Sequence, residues 1–208
     1  MKTMFLSRLL LGSLLIFCLS KFASAAAQLP QTEVKVLQQV AKKLGKTNWN
    51  FSVDPCSGEY GWFVKNPVEG FDNALTCNCS FSNDTVCHVT SIALKAQSLP
   101  GTLPLELAEL PYLQEIDLSR NYLNGTIPPE WGSLSLVNIS LLGNRVTGSI
   151  PKEIANITTL KSLILRSCNI IGELPEYIGE MKSLKTLFLT GNMLSGPVPQ
   201  WVKDGDNM

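Results

Sequence analysis

The sequence predicts an α/β fold in which short coils of chain stack into a solenoid behind a helical, cysteine-bearing amino-terminal cap. Three observations carry that prediction. Glycines at 101, 125, 148, 172 and 196 and prolines at 104, 128, 151, 175 and 199 keep one frame, stepping together by 24, 23, 24 and 24 residues. Leucines keep the same frame at 94, 118, 141, 165 and 189. Ahead of them lie an amphipathic stretch and four closely spaced cysteines.

Residues 1–25 read as a signal peptide. Lys2 and Arg8 flank an apolar run from Leu9 to Leu19, and Ala23-Ser24-Ala25 supplies a small-x-small cleavage pattern. The run is too short for a bilayer, which takes about 20 residues, and no other stretch approaches that length, so no membrane span is expected. Cleavage there removes Lys2, Arg8, Lys21 and Cys18 and no acidic residue, leaving a net charge of −3 from a chain of 17 basic and 17 acidic groups. Export permits disulfides. It also exposes six N-x-S/T sequons to glycosylation, at Asn50, Asn78, Asn83, Asn124, Asn138 and Asn156.

Residues 26–88 are expected to form the cap. TEVKVLQQVAKKLG, 32–45, predicts a helix with Thr32 as N-cap and Gly45 as terminator. Its expected apolar face is Val34, Leu37, Val40, Ala41 and Leu44. Trp49, Phe51 and Trp62 add bulk around Asp54-Pro55-Cys56. Cys56, Cys77, Cys79 and Cys87 are expected to pair; setting aside a bridge between Cys77 and its near neighbour Cys79 leaves two connectivities open. A zinc site is the competing reading, opposed by export and by the single histidine, His88.

Residues 89–202 are expected to form five repeats of the pattern L-x-x-L-x-L-x-x-N-x-L-x-G-x-I-P. The L-x-L alternation gives a short strand whose alternate side chains point inward. Asn121, Asn144 and Asn192 then fall where the chain leaves the strand, and their amides can satisfy backbone groups of adjacent coils. Cys168 occupies the same column, where a small buried thiol fits. Trp131 follows Pro128 by three residues, in the column of Leu107, Ile154, Ile178 and Val202, and is expected in the convex core. Trp201 is one position out of that column. Residues 203–208 are expected to be a truncated tail.

The repeat resembles the plant-specific leucine-rich repeat, from residue 89 to about 202. That resemblance implies a right-handed solenoid with a parallel sheet on the concave face. DPCS (54–57), CNCSF (77–81), VCHVTSIALK (86–95), EIDLSRNYLNGTIPPEW (115–131) and NISLLGNR (138–145) further resemble one group of plant receptor-like serine/threonine kinases. Members carry a repeat ectodomain, usually a malectin-like domain, a membrane span and a cytoplasmic kinase. Against that pattern this sequence stops at Met208 and shows no malectin-like segment, no second hydrophobic span and no G-x-G-x-x-G, V-A-I-K or D-F-G element.

Function is expected to be recognition rather than catalysis. One histidine excludes most catalytic and metal motifs that need two, balanced charge without a basic cluster argues against nucleic acid, and no cofactor is expected. The residues flanking the inward leucines point out of the concave face. Among them Leu142, Ile164, Arg166 and Phe188 are the expected contacts for an extracellular protein or peptide ligand, a co-receptor ectodomain, or both. Asn138 is also a concave position, so a glycan there would crowd that face. The resemblance implies plant cell-surface signalling, secreted for this chain and at the plasma membrane for the full-length family. Alternatives are the amino-terminal part of a full-length receptor kinase, or a secreted inhibitor of wall-degrading enzymes.

Overall fold

The computed structural model of the protein describes residues 27–59, 61–64 and 68–204. The expected signal peptide and residues 205–208 of the expected tail lie outside the described residues. The chain opens with helix α1, Gln31–Leu44, which buries Val36, Leu37, Val40, Ala41 and Leu44 and ends on Gly45 in the left-handed conformation. Two details correct the sequence reading. Pro30 rather than Thr32 holds the N-cap position, without a side-chain cap, and Thr32 is exposed within the first turn. Val34 is half-buried and packs against the core, and Val36, which the sequence reading left out, adds to the buried face. Glu33 also turns inward: its Oε2 accepts the Val89 amide at 3.1 Å and its Oε1 pairs with His88 Nδ1.

Behind α1 a short 3-10 turn, Pro55–Ser57, is capped by Asp54, whose Oδ1 accepts the Cys56 amide and whose Oδ2 accepts the Leu29 amide. Disulfide Cys56–Cys77 ties this turn to strand β1, Ala74–Phe81. Cys79–Cys87 ties β1 to β2, Val86–Ala93. The structure thus resolves the two connectivities left open by the sequence. Trp62 is wholly buried against Trp49 and Phe51, with ring centroids 4.9 Å away in each case, and its Nε1 donates to the Asn50 carbonyl.

Strands β3 (Glu115–Asp117), β4 (Asn138–Ser140), β5 (Thr147–Gly148), β6 (Ser162–Ile164), β7 (Asn169–Glu173), β8 (Thr186–Phe188) and β9 (Met193–Ser195) follow. A six-stranded sheet has the order β1-β2-β3-β4-β6-β8, antiparallel at β1–β2 and parallel thereafter, and a smaller sheet β5-β7-β9 lies beside it. Because β2 crosses residues 88 and 89, the cap and the first coil share a strand. Each of Pro104, Pro128, Pro151 and Pro175 starts a 3-10 turn on the opposite side of the coil. In the fifth coil the short helix α2, Gln200–Asp204, takes that place.

Between strands and turns runs one core. Leu94, Leu118, Leu141 and Leu165 are fully buried in a row, and Leu189 at the far coil is half-buried. Trp131 is fully buried among the convex turns and donates Nε1–H to the Pro104 carbonyl at 2.9 Å. Val202 departs from its column and is exposed; its neighbour Trp201 turns in instead and lies against Gly179. A glycine at 179 is what allows an indole ring so close to the backbone.

The asparagine column is a hydrogen-bond ladder. Asn121, Asn144 and Asn192 each donate to the leucine carbonyl of their own coil and of the preceding coil, at 2.7–2.9 Å. Cys168 fills the missing rung, with Sγ donating to the Leu141 carbonyl at 3.2 Å. Burial pushes its thiol pKa up, so it persists as a thiol rather than a reactive thiolate. In the first coil the column is held by Gln97, which sequence reasoning passed over although it sits one repeat before Asn121. Gln97 donates to the Asp72 carbonyl and accepts from the buried Lys46 ammonium at 2.8 Å.

Lys46 is buried, and desolvation lowers its pKa from 10.5 to about 8. Between those values the unfolded chain holds a proton that the folded chain has shed, so this group makes stability rise as pH rises from about 8 to 10.5. Below about 8 its contribution is flat. Thermal melts of wild type and Lys46→Met should therefore diverge in favour of wild type over that window. A difference that does not change with pH would contradict the assignment.

Candidate functional site

The concave face of the six-stranded sheet carries a shallow groove of about 510 Å³. Its floor follows from the parallel register. Alternate residues of each strand point away from the leucine core, and pairing aligns them coil to coil: Ala93 with Asp117, Asp117 with Ser140, Ser140 with Ile164, and Ile164 with Phe188. All four residues expected from the sequence, Leu142, Ile164, Arg166 and Phe188, line this one groove.

The two halves of the groove differ in chemistry. Toward the cap several polar groups are already engaged by their neighbours. Glu115 Oε1 accepts from Asn138 Nδ2 at 2.9 Å, Asp117 Oδ1 accepts the Ser119 amide at 2.9 Å, and the Ser119 and Ser140 hydroxyls share a hydrogen bond of 2.7 Å. Toward the last coils the Arg166 guanidinium has no hydrogen bond or ion pair among the described residues. The adjacent Phe188 ring is 53% exposed, far more than a packed aromatic side chain. An uncommitted cation beside an exposed ring and two aliphatic side chains can hold an extended or folded segment carrying apolar and acidic groups. The groove's other cation, Lys95, lies toward the cap, and Phe188 is the lining's one aromatic residue.

The six sequons divide in the same way. Asn50, Asn78, Asn83, Asn124 and Asn156 are exposed away from the groove, whereas Asn138 is half-buried within it. At Asn50 and Asn78 the sequon hydroxyl, of Ser52 and Ser80 respectively, donates to the asparagine Oδ1. Among the described residues no cluster of three or more His, Cys, Asp or Glu side chains is placed to hold a metal ion. No described helix is long and apolar enough to cross a membrane.

Parallel strands stacked at one repeat, an asparagine ladder and 3-10 turns after each proline define a leucine-rich-repeat solenoid. Residues 112–134, 159–181 and 183–204 match the Leucine Rich Repeat family. Over 156 residues the chain is 55% identical to a probable leucine-rich repeat receptor-like serine/threonine-protein kinase of Arabidopsis thaliana, covering 74% of this chain and 15% of that kinase. The BIR3–SERK2 complex from Arabidopsis thaliana contains a chain 30% identical to this one, with a TM-score of 0.64 and coverage of 85% of this chain and 91% of that one. A plant peptide hormone receptor, RGFR1 in complex with RGF2, is 38% identical with a TM-score of 0.53 over 54% of this chain and 18% of that one. The chain belongs to the leucine-rich-repeat family of plant receptor-kinase ectodomains. It spans a small part of the kinases it matches, the part that is ectodomain-like.

Proposed function

We propose that the chain is an exported, glycosylated recognition module of plant cell-surface signalling, and that it binds an extracellular peptide, a protein ligand or a co-receptor ectodomain through Leu142, Ile164, Arg166 and Phe188. The observation that carries this reading is the asymmetry of the concave groove. Its cap-side Glu115, Asp117, Ser119 and Ser140 are engaged by neighbouring groups, while a free guanidinium and the one aromatic ring of the lining stand together on its other half. Support also comes from structural relatives solved as complexes, a plant peptide hormone receptor, RGFR1, with RGF2, and BIR3 with SERK2. No catalytic role is proposed for the chain itself. A second reading, that it is the amino-terminal part of a longer membrane receptor serine/threonine kinase, is favoured by its matching 15% of such a kinase.

The groove is tested by affinity capture of plant surface proteins on the secreted chain. Phe188→Ala should weaken recovery of a specific partner by about 10-fold or more, as expected of a central aromatic contact. Lys152→Ala, exposed on a 3-10 turn of the opposite side, should leave it unchanged. Equal recovery on wild type and Phe188→Ala would remove this half of the groove as the binding surface.

A further inference from the structure

We propose that Phe81, His88 and Tyr112 form a carbohydrate platform whose occupant is the first N-acetylglucosamine of a glycan carried by Asn78. The proposal rests on the reading of the chain as an exported glycoprotein. It uses none of the residues that line the concave groove.

The three rings meet at the edge where the cap joins the solenoid. His88 and Tyr112 are one repeat apart in sequence and overlie each other, with ring centroids 4.3 Å apart. Phe81 completes the cluster at 4.7 Å from His88 and 4.6 Å from Tyr112. Tyr112 is 41% exposed, so the cluster opens to solvent rather than into the core. Its central ring is held from beneath: Glu33, itself buried, pairs with His88 Nδ1 and accepts the next backbone amide. A fixed, partly open aromatic surface suits the apolar C–H face of a pyranose ring, which packs on aromatic faces while its hydroxyls stay hydrated.

Asn78 stands where such a sugar would start. In the antiparallel pair β1–β2 it lies directly opposite His88. Opposed residues point to the same face with Cβ atoms about 4.5–5.5 Å apart. Asn78 is exposed, and its Oδ1 accepts both the amide and the hydroxyl of Ser80, at 3.0 and 2.8 Å. Its Nδ2 has no hydrogen-bond partner among the described residues, whereas Nδ2 of the groove asparagine, Asn138, is engaged by Glu115. Attachment forms a bond between Asn78 Nδ2 and C1 of the sugar and breaks the C1–O bond of a lipid-diphosphate-linked oligosaccharide. The lipid diphosphate leaves, and one amide proton is lost to solvent. The chain so modified carries its own ligand within reach of the three rings.

The experiment uses the full chain secreted from a glycosylating plant host, with site occupancy read by peptide mass before and after glycan release. Thermal midpoints are then compared for wild type, Asn78→Gln, Tyr112→Ala and the double variant. Loss of the glycan should lower the wild-type midpoint by about 2–4 °C and should cost nothing further once Tyr112 is alanine. Enzymatic trimming of wild type to a single N-acetylglucosamine should preserve the midpoint that full removal lowers, a readout that does not depend on Tyr112→Ala folding. Asn83→Gln, which removes the sequon in the adjoining turn, should show no coupling to Tyr112. An unmodified Asn78 would end the glycoprotein reading at this site and the platform with it. A modified Asn78 with additive effects of the two substitutions, or a midpoint indifferent to trimming and removal alike, would overturn the platform and leave the glycoprotein reading standing.

Discussion

Leu141→Ala is expected to destabilise the chain by about 2–5 kcal/mol, the range for deleting a buried leucine from a core that only partly relaxes. Leu141 is fully buried at the middle of the stacked row, with Leu118 on one side and Leu165 on the other. In a solenoid each coil is stabilised by its neighbours, so a cavity at the centre weakens two interfaces at once. The same change at Leu189 should cost less, because that residue is already half-exposed and the removed methyl groups leave a smaller void. Equilibrium denaturation of the two variants measures the difference. Equal losses would mean that the row does not act as one continuous core.

The period that predicts Leu141 also explains which parts of the fold could be read without coordinates. A repeat constrains every residue in its frame, so the inward leucines, the asparagine rungs and the outward columns all fall where the spacing puts them. Ile164 and Phe188 could be assigned to one groove because the parallel register preserves sequence frame as spatial alignment. Residues that act outside the frame were not legible. Glu33 looks like an ordinary exposed helix acid, and only the packing of α1 against β2 shows that it replaces a missing strand partner for Val89. The exchange of Val202 for Trp201 has the same character, since an indole ring settled against Gly179 outweighs a column position. Gln97 and the pair of His88 with Tyr112 did carry a signal, a spacing of one repeat from Asn121 and from each other. It is easily missed because glutamine and histidine break the consensus. The uncommitted state of Arg166 was beyond reach, because the residues that pair among themselves nearby are fixed by side-chain geometry rather than by type.

Asn121→Ala is expected to cost about 3 kcal/mol or more, as much as a large core deletion, although it removes only a small polar group. Its amide nitrogen donates to the Leu94 and Leu118 carbonyls, and its Oδ1 accepts the backbone amides of Gln97 and Leu99. Leu118 keeps a second donor, Asn144. The Leu94 carbonyl and the Leu99 amide have no other such partner and would be left facing a core, and the half-buried Gln97 amide would lose its acceptor. Each buried group so stranded costs roughly 1–3 kcal/mol. Asn192 is the internal comparison, since it makes the matching contacts to Leu165, Leu189 and Ile170, one backbone amide fewer, but is half-buried. Water can take over the released groups there, so Asn192→Ala should cost about 1 kcal/mol. The ratio between the two losses matters more than either value. Were the ladder only a consequence of turn conformation, both asparagines would respond alike, and equal losses on denaturation would show it. A cost concentrated at the buried rung would establish that the column stabilises the solenoid by satisfying backbone groups the leucines have sealed from water.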